Sequence, residues 1–258
     1  MSRLIGAARA LGFAVFTLPL MPLQLLLIWL WPSGAKWLPH IYHRGLCLLL
    51  GIRVEVSGQG LPPGPCLVVS NHVSWIDILV LSSVAPLSFV AKREVAGWPL
   101  FGLMAKLQRT VFVDRDKRHA TGLHRNELQV HLSGSETLVL FPEGTSSDGA
   151  SVLPFKSSFF AAATAPDVSV VPVSLAYRQT YNLPLTRRNR PHFAWYADME
   201  LVPHLWAVLC GGPLLVTVVV HDALGVEARA QRKRAASVAE ATVRRGLLEA
   251  LHGRGDLR

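Results

Sequence analysis

The sequence predicts an α/β fold: a mostly parallel sheet of about seven strands flanked by helices, with a hydrophobic, membrane-anchoring helical segment at the N-terminus. Three observations lead there. Residues 10–35 carry no charge, and twelve of them are Leu, Ile, Val or Phe. Behind them recur short apolar, β-branched runs, several separated by connections long enough for the crossover helix that parallel pairing requires. Two of these runs end in polar clusters, and open α/β sheets place their ligand crevice at the carboxyl ends of strands.

The N-terminal segment comes first. On an insertion scale each of its large apolar side chains favours the bilayer by ~0.3 to 0.6 kcal/mol, so Ala10–Ala35 belongs in lipid. Pro19 and Pro22 fall near its middle, and each removes a backbone donor and can break a helix. A broken helix that enters one leaflet and returns is therefore expected in preference to a straight span. Arg3 and Arg9 precede the segment while Lys36, Arg44 and Arg53 follow it, so charge does not orient it. A cleaved signal peptide is the alternative, with Ser33-Gly-Ala35 as its cleavage site; against it, the apolar run exceeds the ~7 to 15 residues of a signal core.

Ile52–Ser57 alternates like a strand with one wet face, and Pro65–Ser70 is a continuous apolar run of the kind found in a central strand. A helix is expected from near Val73. Leu87–Ala91 and Thr110–Val113 read as further strands, with a short helix over Trp98–Leu107 between them. Lys117–Leu132 is polar and periodic, as in a surface helix. Thr137–Phe141, Val168–Tyr177 and Leu214–Val220 complete the sheet. The apolar run Leu205–Val220 is not a span, because Gly211-Gly-Pro213 divides it into a short helix and a strand. Gln231–Leu251 is a basic helical pattern, expected on a solvated or lipid-facing surface.

Composition narrows the partners. With 258 residues, half of them apolar, the chain can bury one substantial core. Its 26 Lys and Arg against 17 Asp and Glu leave a net charge of +9, a surface that seeks an anionic partner. No zinc-finger spacing, aromatic ribonucleoprotein motif or basic zipper accompanies the charge, so membrane lipid or an acidic carrier protein is expected and nucleic acid is not. Cys47, Cys66 and Cys210 are sparse and form no Cys-x-x-Cys pair, which fits a reducing compartment and argues against a disulfide framework or a zinc site. Neither a metal site nor a bound cofactor is expected.

The chemistry concentrates in the first polar cluster, Val68-Val-Ser-Asn-His-Val-Ser-Trp-Ile-Asp77. A neutral imidazole can take a proton near neutral pH, and a carboxylate on its far nitrogen fixes the tautomer and stabilises the imidazolium. His72 and Asp77 are the candidate base and orienter. Five positions is not a helical pair, so the spacing works only with His72 at the strand end and Asp77 one turn into the helix. Asn71 and Ser74 read as helix caps. The second cluster, Phe141-Pro-Glu-Gly-Thr145, reads locally as a type II turn. No Gly-x-Ser-x-Gly elbow is present, which argues against an acyl-serine intermediate.

These clusters resemble the glycerolipid acyltransferases of the PlsC type, whose blocks read Asn-His-x4-Asp and Phe-Pro-Glu-Gly-Thr. The resemblance covers roughly residues 45 to 220, with four blocks in the family's order. They are Asn71 to Asp77; Lys92 and Glu94 through Trp98, Pro99 and Gly102 to Phe112-Val-Asp-Arg115; Phe141 to Thr145 with Leu153-Pro-Phe-Lys156 behind it; and Val170-Val-Pro-Val-Ser174. It implies an O-acyltransferase that moves a fatty acyl group from acyl-ACP or acyl-CoA to a lysolipid hydroxyl. The enzyme would sit at the cytoplasmic membrane with its catalytic domain facing the cytosol. The implied division is an anchor at 1–44, a catalytic domain at 45–225 and a basic C-terminal helix at 226–258. The resemblance also implies a substrate-binding set of Asn71, Lys92, Arg115, Glu143, Gly144, Thr145, Ser146 and Lys156. Arg115 is the candidate for a headgroup phosphate, with Arg118 and Lys156 as further cations, since a guanidinium offers a bidentate fork.

One departure bears on the acceptor. Relatives that acylate lysophosphatidic acid commonly carry Arg after Glu-Gly-Thr, whereas this chain has Ser146-Ser147-Asp148. Losing a cationic partner weakens selection for a phosphate monoester. Glu-Gly-Thr-Ser-Ser-Asp-Gly resembles the bacterial branch that acylates the 3-hydroxyl of lyso-ornithine lipid, and that acceptor is expected. A 1-acyl-sn-glycerol-3-phosphate acyltransferase is the alternative within the family. A thioesterase, with water at the same base, and a non-catalytic membrane tether are the alternatives outside it.

Overall fold

Strand β2, Cys66–Ser70, is buried along its whole length because it lies inside the sheet with side chains covered on both faces. Its residues alternate between two cores. Cys66 and Val68 point into one, Leu67 and Val69 into the other, as the two-residue period of a strand demands. The computed structural model of the protein describes residues 2–113, 132, 136–164 and 167–253.

The strands are β1 Ile52–Gly58, β2, β3 Ser88–Lys92, β4 Val111–Val113, β5 Thr137–Leu140, β6 Ser169–Thr180, β7 Leu183–Pro184 and β8 Leu214–Val220. They pair in the order β1-β8-β6-β2-β5-β3-β4, with β7 returning along β6. Pairing is parallel except at β6–β8 and β6–β7. All seven expected strands are present, and the eighth, β7, has only two residues. Helices α2 (Trp37–Leu50), α3 (Ile76–Val84) and α4 (Phe101–Leu107) follow in the chain. Then come α5 (Leu201–Cys210), α6 (Val226–Arg229) and α7 (Arg232–Leu251). Gly211–Pro213 ends α5 before β8 begins, as the sequence requires. The surface helix expected at 117–132 lies outside the described residues apart from Leu132, which is buried.

The N-terminal segment differs from expectation. Helix α1, Ser2–Leu30, runs without interruption through Pro19 and Pro22. A proline costs a helix one donor and crowds one carbonyl, and packing against a neighbour can offset that local loss. Here Phe16 stacks on Tyr42 with ring centroids 5.4 Å apart, and the Thr17 and Tyr42 hydroxyls are hydrogen-bonded at 2.8 Å. The reversal falls instead at residues 31–36, and α2 packs back along α1 as the second arm of a helical hairpin. Arg9 donates to the carbonyls of Leu209 and Gly211, and Gln24 Nε2 to those of Ala35 and Leu107. These polar residues pin one face of α1 to the domain. The opposite face, with Leu4, Leu11, Leu18, Leu25 and Trp29, is exposed and apolar. At about 1.5 Å per residue the helix is long enough to cross a membrane, and its exposed apolar face is that of a membrane-associated element.

The C-terminal helix also differs. Its basic face is outward, but Ala235, Ala239, Val243 and Leu247 are buried in the same core as Val170 and Ala176 of β6. Small residues let α7 approach the sheet closely. It therefore packs as a layer on the sheet.

Candidate active site

The parallel register of β2 and β5 pairs Val69 with Leu140, so the segments that follow the two strands, from Asn71 and from Phe141, leave the sheet side by side. This brings the two polar clusters together. The His72 ring stacks on Phe141, with centroids 4.1 Å apart and planes 16° from parallel, and Phe141 stacks in turn on Phe89. His72 N–H donates to Glu143 Oε1 at 3.2 Å.

His72 sits in the loop between β2 and α3, and Asp77 is in the first turn of α3, as the five-residue spacing requires. His72 Nδ1 is 2.7 Å from Asp77 Oδ2. That contact holds the ring proton on Nδ1 and leaves the Nε2 lone pair for chemistry. The same Oδ2 accepts the N–H groups of Val73 and Ser74, at 2.7 and 3.0 Å, and Oδ1 accepts the Tyr177 hydroxyl at 2.8 Å. Asp77 is fully buried and has a donor on both oxygens, which satisfies a buried carboxylate. The helix starts at Ile76 rather than near Val73 because Asp77 takes the amides of Val73 and Ser74 into this bent loop. Burial, reinforced by the Asp77 charge, pushes the Tyr177 phenol well above its ordinary range, so it stays a donor.

Asn71 is neither a helix cap nor exposed to a ligand. Its Oδ1 accepts Leu175 N–H at 2.8 Å and its Nδ2 donates to Leu175 O at 2.9 Å. The amide imitates one more peptide of β2, keeping β6 paired while the main chain turns away to present His72. Nor does Ser74 cap α3, whose N-terminus has no side-chain cap.

The Phe141–Gly144 turn is closed by Gly144 N–H to Phe141 O at 3.1 Å. Gly144 has φ +74°, and Glu143 is not left-handed, so this is not the type II turn expected. A side chain on Gly144 would also meet Lys156 Nζ, 2.7 Å from an added Cβ. Glu143, expected on the acceptor side, is buried with only 2 % of its surface exposed and faces the His72 backbone. Burial pushes its carboxyl up to about 8, with the His72 and Leu153 amides pulling the other way.

The following loop grips the His72–Asp77 loop from the other side. Ser147 donates to His72 O through its N–H at 2.9 Å and its hydroxyl at 3.2 Å. Ser146 Oγ donates to Trp195 O, and Trp195 N–H to Val73 O at 3.0 Å. Thr145 and Ser146 line an open polar pocket of about 620 Å³ with Asp148, Arg187, Arg190 and Tyr196. Lys92 ends β3 and pairs with Glu94 at 3.0 Å. Arg115 and Arg118 lie outside the described residues.

A second cavity, of about 340 Å³ and almost wholly apolar, runs between the α1–α2 hairpin and the sheet domain. Trp75, Phe89, Met104 and Trp195 are among its walls. It thus reaches the aromatic stack beneath His72 through Phe89. Trp195 lines the apolar cavity while its neighbour Tyr196 lines the polar pocket.

Several of these groups carry no sequence signal. Tyr177, Ser147, Trp195 and the arginines of the polar pocket come from distant segments, and only strand register and loop packing bring them in.

Comparison with known proteins agrees with this geometry. A family model described as "Acyltransferase" matches residues 53–176. The chain is 44% identical to a lyso-ornithine lipid O-acyltransferase of Rhizobium meliloti (strain 1021), over 92% of this chain and 84% of the relative. It is 36% identical to a 1-acyl-sn-glycerol-3-phosphate acyltransferase of Neisseria meningitidis serogroup B, over 68% of this chain and 67% of that relative. The crystal structure of the 1-acyl-sn-glycerophosphate acyltransferase PlsC from Thermotoga maritima has the same fold, with a TM-score of 0.69 at 22% identity over 96% of this chain and 94% of that one. The base-and-carboxylate loop, the turn beside it and these likenesses agree: the chain belongs to the PlsC-type acyltransferase family and is an enzyme that transfers acyl groups to lysolipids.

Proposed function

We propose that this enzyme takes a fatty acyl group from acyl-ACP or acyl-CoA and esterifies the free hydroxyl of lyso-ornithine lipid at the inner face of the cytoplasmic membrane. The observation that carries the reading is the His72 ring, held by Asp77 and Phe141, with the apolar cavity reaching its aromatic stack through Phe89 and the polar pocket reaching its main chain through Ser147. The acyl chain of the donor occupies the apolar cavity, and the acceptor headgroup occupies the polar pocket. His72 Nε2 removes the hydroxyl proton as the oxygen attacks the thioester carbonyl. The tetrahedral intermediate collapses with loss of the C–S bond, and the imidazolium returns its proton to the departing thiolate. Asp77 stabilises the imidazolium throughout, and positioned proton transfer of this kind contributes ~10² to 10⁴ in rate.

No acyl-enzyme is required. Among the described residues no serine, threonine or cysteine side chain bonds His72 Nε2. A cytosolic thioester donor puts the catalytic face in the cytosol, and the apolar face of α1 supports docking on the adjacent leaflet. Lyso-ornithine lipid is favoured as acceptor by the 44% identical relative and by the uncharged Ser146 after Glu-Gly-Thr. Lysophosphatidic acid is the second reading, favoured by the Neisseria relative.

The test is a side-by-side assay of purified full-length enzyme in lipid nanodiscs. Each acceptor is supplied with acyl-ACP and with acyl-CoA. Higher kcat/KM on lyso-ornithine lipid is expected, and a clear preference for lysophosphatidic acid overturns the acceptor assignment. Release of fatty acid at the same rate with no acceptor present overturns the transferase mechanism.

A further inference from the structure

The polar pocket carries charge of both signs, and that is its informative feature. Arg187 and Arg190 stand on the segment that follows β7, and Asp148 on the loop that grips His72. Among the described residues Asp148 forms no ion pair with either arginine, so the charges are held apart instead of cancelling each other. Arg190 is oriented by one bond, Nη1 to Gly149 O at 3.1 Å, which leaves most of its guanidinium fork available. Asp148 Oδ1 accepts Ala150 N–H at 2.9 Å, and Oδ2 remains open. Ser146, with its hydroxyl committed to Trp195 O, adds no charge.

A phosphate monoester would meet the Asp148 carboxylate as well as the arginines, and like charge at close range costs affinity. A headgroup with a carboxylate and an ammonium on a short arm has no such conflict. We propose that this pocket reads a zwitterionic amino-acid headgroup, with its carboxylate on the Arg187 and Arg190 forks and its ammonium on Asp148. Guanidinium pairs give the carboxylate end a planar, two-bonded partner, and a carboxylate gives the ammonium end a point charge. Asp148 also acts against the competing phosphate acceptor, so one residue serves both sides of the discrimination. The inference rests on the lyso-ornithine reading above and assigns the residues that would enforce it.

The experiment compares wild-type enzyme with Asp148→Asn and with Arg187→Gln in nanodiscs. Four acceptors are used: lyso-ornithine lipid, its δ-N-acetyl derivative, its carboxyl methyl ester and lysophosphatidic acid. Because the chemical changes are made in the ligand, the wild-type comparison does not depend on any variant folding. Wild type is expected to show KM raised ~10- to 100-fold by either modification, as for loss of a charged hydrogen bond. Asp148→Asn is expected to treat the free and acetylated amines alike and to gain on lysophosphatidic acid. Arg187→Gln is expected to raise KM for lyso-ornithine lipid but not further for the methyl ester, with kcat little changed. Wild-type turnover that is indifferent to both modifications overturns the pocket assignment alone. No turnover of lyso-ornithine lipid, with lysophosphatidic acid consumed, instead overturns the acceptor on which it rests.

Discussion

The Tyr177 hydroxyl donates to Asp77 Oδ1 at 2.8 Å across one hundred residues of chain. β6 delivers it from below the His72–Asp77 loop, and with the amides of Val73 and Ser74 and the His72 ring it gives the carboxylate a full set of donors. Tyr177→Phe leaves Oδ1 buried without this donor. Loss of ~1.5 to 3 kcal/mol of stability is expected, together with a lower kcat at unchanged KM. Thermal melting and steady-state kinetics read the two effects, and a variant that melts and turns over like wild type would show that Asp77 does not need the phenol.

His72→Ala is expected to lower kcat by ~10² to 10⁴, with the protein still sedimenting with membranes. Asp77→Asn should lose comparable activity and also stability, since its amide would set N–H donors against those of Val73 and Ser74. Retention of activity by His72→Ala would remove the case for base catalysis at this ring.

Asn71→Ala should act through the fold. It removes both bonds to Leu175 in a fully buried place, where unpaired backbone groups cost ~1 to 3 kcal/mol. At about 2 to 4 °C per kcal/mol for a chain of this size, the melting temperature falls by several degrees. A loss of acceptor affinity at wild-type stability would return Asn71 to the substrate side.

Glu143 is raised by burial to about 8, above its value in an unfolded chain. The native state therefore holds a proton that the unfolded state has released, and stability declines as pH rises from the ordinary carboxyl range towards 8. Glu143→Gln keeps an acceptor for His72 N–H and removes this titration. Its melting temperature is expected to vary less between pH 5 and 8 than that of wild type, and parallel pH profiles would contradict the assignment.

Met104→Trp narrows the apolar cavity from the α4 side. Preference should shift to shorter acyl donors with His72 chemistry intact, as measured by competition among thioesters of different chain length. An unchanged chain-length profile would place the donor chain elsewhere.

The strands were legible because buried parallel strands need β-branched runs, and Pro65–Ser70, Val168–Tyr177 and Leu214–Val220 have little other use. The dyad was legible for the same reason: a strand end followed by a helix turn is a local event, and His72 and Asp77 are five residues apart. Asn71 and Glu143 were visible as polar residues, but their work was not. Both face inward, towards β6 and the His72 amide, and direction depends on what the neighbouring strand supplies.

By itself the sequence determined the period of each element, the break at Gly211–Pro213 and the placing of two polar clusters at strand ends, all set by local sterics and hydrophobic spacing. Tertiary structure decided whether α1 would break, because the cost of two prolines is balanced by the packing of its other residues on α2 and on the domain. It also decided which residues share the site. Register between β2, β5 and β6 brings Phe141 and Glu143 to His72 and Tyr177 to Asp77, and pairing across such distances is fixed by the packed sheet as a whole and not by any local run of residues.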